Sequence, residues 1–242
     1  MNLIIDVGNT LIKLAVFENG TLRQRKTVIK GDFPEALAQL ERECSKITHC
    51  IVAATGKFGD SHLEKLQKRY STIVLSSKTP LPFNNEYKTP DTLGVDRIAL
   101  IAAAMNAYPS KNVLVIDAGT CITYDFISSD SEYLGGAISP GLEMRYKSLH
   151  TFTHKLPILE ATAPKGLIGG TTASSIHSGI VFGIIAEIEG IINRYISKYS
   201  DLVVVLTGGD AQFLRDRLKS DIFAHSNFLL EGLNYILDNN KH

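Results

Sequence analysis

One strand-and-turn design occurs twice in this chain. Leu3-Ile4-Ile5-Asp6-Val7-Gly8-Asn9-Thr10 matches Leu114-Val115-Ile116-Asp117-Ala118-Gly119-Thr120 in residue type and phase. Each copy is an apolar run, then Asp-x-Gly with a nearby Thr, then a second apolar run. The two aspartates lie 111 residues apart in a chain of 242, far too long a period for a solenoid. The repeat predicts a duplicated domain, its two copies facing one another across a central cleft. The boundary falls near the midpoint, giving an N-terminal domain over 1–110 and a C-terminal domain over 111–242.

The pattern between the copies is α/β. Leu3–Asp6, Leu11–Phe17 and Thr21–Ile29 read as strands joined by turns at Gly8-Asn9 and Asn19-Gly20. Phe33–Glu43 has helical spacing with Pro34 in its first turn, His49–Ala54 reads as a buried strand, His62–Tyr70 as a helix and Thr72–Leu75 as a strand. Asp96–Ala107 is helical. In the second half, Val113–Ile116, Cys121–Ile127, Tyr133–Ile138 and Leu202–Leu206 read as strands. Leu142–Thr151, Thr172–Ile196, Gln212–Lys219 and Asn227–Leu237 read as helices, and the last helix has the option of packing back on the first domain.

The turns carry the candidate chemistry. Gly8 permits a tight bend whose amides can cradle phosphate oxygens, Thr10 adds a hydroxyl, and Lys13 adds a positive charge. Asp6 cannot usefully touch a phosphate, since two anions repel, but it can hold the water shell of a Mg2+ ion bridging to one. Asp117-Ala118-Gly119-Thr120 repeats the design, and Thr207-Gly208-Gly209-Asp210 adds a third glycine-rich turn with room for a base and ribose. Asp210 reads as the cap of the helix that follows it.

Gly94-Val95-Asp96-Arg97 stands at a helix start. It reads either as an N-cap aspartate with an exposed arginine, or as a proton acceptor for an attacking hydroxyl beside a guanidinium that grips a substrate carboxylate. Gly135–Gly141 either packs closely or shapes a pocket. Gly169-Gly170-Thr171-Thr172 opens the long helix, with Thr172 a cap or a substrate contact. There is no Gly-x-x-x-x-Gly-Lys-Ser/Thr run, which excludes a P-loop, and the seven histidines have no ligand-like pairing.

Composition narrows the class. Lys plus Arg equals Asp plus Glu at 25 each, so no basic excess points to nucleic acid. The N-terminus lacks a secretory pattern, and Glu187 and Glu189 interrupt the most apolar stretch, Gly179–Ile192, which argues against a membrane span. Cys44, Cys50 and Cys121 read as free thiols of a reducing cytoplasm.

The ordered set Asp6–Lys13, Tyr87, Gly94–Arg97, Asp117–Thr120, Gly135–Gly141, Gly169–Thr172 and Thr207–Asp210 resembles the type III pantothenate kinases over nearly the whole chain. The resemblance implies a duplicated actin-like (ribonuclease H-like) ATPase fold and phosphorylation of pantothenate by ATP, the first step towards coenzyme A. It implies that Asp6, Val7, Gly8, Asn9, Thr10, Leu11, Ile12, Lys13 and Thr120 contact ATP, with Asp6 in the vicinity of Mg2+. It implies that Tyr87, Gly94, Val95, Asp96, Arg97 and Thr172 bind pantothenate, with Asp96 the catalytic proton acceptor. Asp117 matches the site of a monovalent cation, K+ or NH4+, and the family's members are homodimers. One departure is visible: Ala53-Ala54-Thr55-Gly56-Lys57 lacks the serine expected in that turn. The alternatives are another small-molecule kinase or phosphohydrolase of the same fold, and a non-catalytic regulatory relative.

Overall fold

Asn2–Val7 (β1) is buried at all six positions, as a strand covered on both faces must be. In the computed structural model, which describes residues 1–241, β1 is the central strand of a five-stranded sheet. Leu11–Glu18 (β2) pairs antiparallel with β1, and Thr21–Ile29 (β3) antiparallel with β2. The β2–β3 connection is Asn19-Gly20, both with positive φ (51° and 75°), the backbone a two-residue hairpin turn needs. Phe33–Glu43 (α1) leads to His49–Ala54 (β4), parallel to β1, and Asp60–Arg69 (α2) leads to Ser71–Val74 (β5), parallel to β4. The sheet order is β3-β2-β1-β4-β5. Phe33, Ala36, Leu37 and Leu40 recur at helical spacing and bury one face of α1 against Leu3, Ile5 and Val52.

After Asn84–Asn85 (β6) comes Val95–Ala107 (α3). The second half repeats the plan with Asn112–Ala118 (β7), Cys121–Ile127 (β8), Glu132–Pro140 (β9), Leu142–Thr151 (α4), Thr172–Ile196 (α5), Leu202–Thr207 (β10), Ala211–Arg215 (α6) and Phe223–Ala224 (β11). Its strands lie in a six-stranded sheet of order β11-β10-β7-β8-β9-β6. Numbered from each half's first strand, and with the second order read from β9, both run third, second, first, fourth, fifth, and β6 adds an edge strand beside β9. The duplication legible in the two Asp-x-Gly turns is therefore a duplication of topology. In α5, Ile176, Ile180, Ile184, Ile188 and Ile192 fall at intervals of four and bury one ridge in the core with Leu114, Tyr124 and Leu206. This helix is long and apolar enough to cross a bilayer, but that ridge belongs to the interior of the fold.

The chain divides into two compact units. The first holds Met1–Pro109, Ser131–Tyr133 and the stretch from Asn227 onward; the second holds Ser110–Asp130 and Leu134–Ser226. Phe228–Asn239 (α7) thus belongs with the first strands of the chain. It packs on α3, where Gly232 lies so close to the Ala99 carbonyl that no Cβ could be fitted. Asn2 on β1 donates to both Asn234 (2.7 Å) and Asp238 (2.9 Å) of α7.

One helix departs from the sequence expectation. The segment read as Gln212–Lys219 is α-helical only to Arg215. Arg217 and Leu218 make tighter i→i−3 bonds, and the amides of Lys219 and Ser220 are taken by the Glu189 carboxylate (2.5 and 3.1 Å). A side-chain acceptor on α5 outcompetes continuation of the helix.

Candidate active site

In the first unit, β1 and β2 pair through Val7↔Ile12, and Gly8 N–H donates to the Leu11 carbonyl at 3.0 Å. This leaves Asn9, Thr10 and Leu11 exposed at the tip. The same register sets Asp6 opposite Lys13, whose ammonium lies 3.7 Å from the carboxylate. Asp6 is only 7% exposed. Burial pushes its carboxyl above the ordinary aspartate value; Lys13 opposes this, and the negative charge of Asp96 adds to it.

The segment Ala53–Lys57, which lacks the expected serine, forms the shelf beside this turn. Thr55 and Gly56 amides donate to the Val7 carbonyl at 3.0 and 3.1 Å. Gly56 lies against the Gly8 carbonyl with no room for a Cβ, and Lys30 donates to the Lys57 carbonyl at 3.3 Å. Sequence reasoning gave this segment no role. Its one signal was Gly56, in a run otherwise suited to a strand end.

Asp96 is not the N-cap of α3. Gly94 occupies that position, and Asp96 is the helix's second residue, accepting from the Arg97 amide at 2.9 Å. Its Oδ1 fills the space where a Cβ on Gly94 would stand, so the glycine is what lets the carboxylate fold back over the helix start. Nor is Arg97 an exposed companion. It is 5% exposed, its guanidinium lies 5.4 Å from the Tyr87 ring centroid, and Tyr87 stacks on Tyr133 at 6.1 Å. The first unit therefore brings together Asp6, Lys13 and Asp96 as one charged group, and Tyr87 with Arg97 as one stack.

In the second unit, Asp117 pairs across the hairpin with Thr123 and Ala118 with Ile122. Gly119 N–H donates to the Cys121 carbonyl at 2.9 Å, a turn one residue shorter than the first. Thr120 is exposed at its tip. Gly208, at φ +98°, lies against the Ala118 carbonyl and the Asp117 carboxylate, where any Cβ would collide. Gly141 is likewise pressed on the Gly119 and Thr120 carbonyls. Gly208, read from sequence as room for a ligand, is used by turn-on-turn packing, Gly141 takes the close-packing alternative, and Gly209 faces open space. Asp210 stands at the N-cap of α6, but its side chain accepts no capping bond from the helix amides; its own amide donates to the Ala118 carbonyl at 2.9 Å.

Thr172 is the first residue of α5, not its cap. Thr171 is the N-cap and forms a reciprocal capping box with Ser174. This leaves Thr172 exposed at the rim of a cavity of about 500 Å3 lined also by Arg145, Leu149, Ser175, Ile176 and Ile180.

Among the described residues no three His, Cys, Asp or Glu side chains cluster as a metal cage. A divalent cation here would draw most of its ligands from water and phosphate, the regime of Mg2+. Two carboxylates against one ammonium at Asp6, Asp96 and Lys13 leave a net negative charge that suits such a cation. Asp117 offers a hard oxygen donor, the type a monovalent cation takes.

The sequence profile of the type III pantothenate kinases matches residues 2–194. The chain belongs to the type III pantothenate kinase family. Relatives described as type III pantothenate kinases include one from Christiangramia forsetii, 55% identical over 242 residues, covering 100% of this chain and 99% of that one. Another, from Flavobacterium johnsoniae, is 44% identical and covers 99% of this chain and 100% of its own. Among solved structures, a glucokinase from an Antarctic psychrotroph superposes with a TM-score of 0.55 at 12% identity, covering 99% of each chain. That likeness places this pantothenate kinase family member in the actin-like ATPase and sugar kinase fold, as the duplicated strand order requires.

Proposed function

We propose that this chain transfers the γ-phosphoryl group of ATP to the primary hydroxyl of pantothenate, yielding 4'-phosphopantothenate and ADP for coenzyme A synthesis. The observation that carries the reading is the family match along the chain. Asp96 takes the hydroxyl proton as the oxygen bonds to the γ-phosphorus and the bond to the bridging oxygen of ADP breaks. The carboxylate is aimed for this by the absent side chain of Gly94 and by the Arg97 amide. Arg97, steadied on Tyr87, holds the carboxylate of pantothenate, and Val95 and Thr172 complete the contacts to the acceptor. Asp6 through Lys13 and Thr120 hold the nucleotide.

Mg2+, held near Asp6, neutralises phosphate charge when bound, and K+ or NH4+ at Asp117 is its monovalent counterpart. We further propose a homodimer. Phe152, Leu167 and Ile168 are 84%, 74% and 92% exposed in the segment between α4 and α5, apolar side chains that a partner protomer would cover. The three free cysteines suit a cytoplasmic setting. The neutral charge gives no footing for nucleic acid, and burial of the α5 ridge gives none for a membrane.

The test is direct. Purified protein given ATP, pantothenate, Mg2+ and K+ or NH4+ yields phosphopantothenate by mass spectrometry, and omitting either cation class lowers the rate. A full set of components that produces none rejects the assignment, and a panel of sugars and short acids then asks whether another acceptor is used.

A further inference from the structure

The turn at Gly119-Thr120 is held from behind. The Thr120 carbonyl accepts from the Gly141 amide at 3.1 Å, and Gly141 has no side chain to keep the two backbones apart. Gly141 follows Ser139 and Pro140, and one arginine grips all three residues. Arg145 donates from its amide to the Gly141 carbonyl (3.1 Å), from Nε to the Pro140 carbonyl (2.9 Å) and from Nη2 to Ser139 Oγ (3.0 Å). The guanidinium is itself anchored by Glu187 of α5 at 2.5 Å, and the other oxygen of that carboxylate accepts from Tyr124 at 2.8 Å. Tyr124 lies on β8, the strand that leaves the turn, so the ring of contacts closes on the hairpin where it began.

We propose that Arg145, fixed by Glu187, is a positioning residue that sets the Gly119-Thr120 turn for the nucleotide, an inference that rests on the assignment of Thr120 to ATP. The pair is sheltered, with side chains 21% and 25% exposed, so it is worth more than a surface ion pair. Burial alone would push the Glu187 carboxyl up, yet donors from Arg145, Tyr124 and Ser139 outweigh it and hold the carboxyl below its ordinary range. The planar guanidinium serves a carbonyl, a hydroxyl and a carboxylate at once. A lysine would present one point charge and could not span them. Arg145 also lines the cavity that Thr172 borders, so the competing reading is a direct contact to the acceptor. The two roles predict different kinetics.

The full-length protein is compared with Arg145→Lys, Glu187→Gln and the double variant. A non-hydrolysable ATP analogue is titrated by calorimetry, pantothenate KM is measured, and amide hydrogen exchange is read at Gly141. Arg145→Lys is expected to weaken analogue binding about tenfold, the loss of roughly one charge-assisted bond's worth of placement. It should speed exchange at Gly141 and lower the melting temperature modestly, with a native far-ultraviolet spectrum, while leaving pantothenate KM within about twofold. Glu187→Gln should give a smaller change in the same direction. The double variant should be no worse than Arg145→Lys, because both act through one guanidinium. Should Arg145→Lys fold poorly, the near-isosteric Glu187→Gln carries the test by the same two readouts. Unchanged analogue affinity in well-folded variants overturns the inference and leaves the kinase reading standing; so does a rise in pantothenate KM alone, which would make Arg145 an acceptor contact. A wild-type protein that fails to bind the analogue overturns both.

Discussion

Asp6 and Lys13 are cross-strand partners whose charged groups stand 3.7 Å apart at the mouth of the first hairpin. The carboxylate is buried and the ammonium is 43% exposed, so the pair has one fixed and one movable member. Lys13 is therefore free to turn towards a phosphate, leaving Asp6 to a cation.

Asp6→Asn should separate catalysis from stability. Burial and the neighbouring Asp96 raise the Asp6 carboxyl above its unfolded value near 3.8, so its ionised form disfavours the fold. The neutral amide should match or exceed the wild-type melting temperature at pH 7.5. The difference should close as pH falls through the folded pKa towards the unfolded value, where both side chains are uncharged. Phosphoryl transfer should drop by about 100-fold or more, the scale of losing one charge-stabilising group. A variant that is clearly less stable at pH 7.5 would show the ionised carboxylate to be a net stabiliser.

Gly94→Ala should damage the rate more than the fold. The added methyl meets the Asp96 carboxylate, a movable side-chain end, so the carboxylate shifts while α3 remains. A displacement of about 1 Å at a reacting group can cost about 100-fold. The expected pattern is a fall of that order in kcat with an unchanged far-ultraviolet spectrum. Asp96→Asn should abolish turnover in an equally folded protein. Near-normal kcat in either variant would remove Asp96 from its role as base.

Cys121 should report nucleotide occupancy. It is half-buried where the Gly119-Thr120 turn enters β8, whereas Cys44 and Cys50 are buried and burial pushes the Cys50 thiol up to about 12. Iodoacetamide near pH 8 should label Cys121 first in the native protein, and ATP with Mg2+ should slow that labelling. Peptide mass spectrometry checks both points; equal labelling with and without nucleotide would detach this turn from ATP.

Gly232→Ala should destabilise without touching the site. A Cβ there collides with the Ala99 backbone at the α3–α7 contact, and backbone cannot yield as a side-chain end does. Overpacking of this kind costs about 1–3 kcal/mol, readable as a lower urea midpoint with kcat retained. An unaltered midpoint would mean that the two helices are free to part.

Much of the local structure was legible because it follows from side-chain period. The bounds of α1, β4, β8, α4 and α5 coincide with the apolar spacing, and the Asn19-Gly20 turn with its residue chemistry. Pairing of Asp6 with Lys13 was open to anyone who folded the hairpin on paper. What escaped the reading was set at long range. Arg145 meets Glu187 42 residues away, Tyr124 meets it from 63 residues away, and no pattern within a helix announces either. The same holds for Gly208 and Gly141: glycine shows that space is needed, but not whether a ligand or another turn fills it. The cap alternatives for Asp96 and Thr172 fall one or two positions late because a helix start is decided by which residue leaves helical backbone, and Gly94 and Thr171 take that part.

The clasp between Asn2, Asn234 and Asp238 joins side chains that lie 232 and 236 positions apart. A ribosome emits β1 long before α7, so the strand waits for its covering helix until the more than 200 residues between them have been synthesised. The later-encoded second unit has its own strands and helices in hand before that moment. Maturation of the first unit is therefore completed last, and a nascent chain stalled before Phe228 would display the uncovered face of β1 and β4 to cellular quality control.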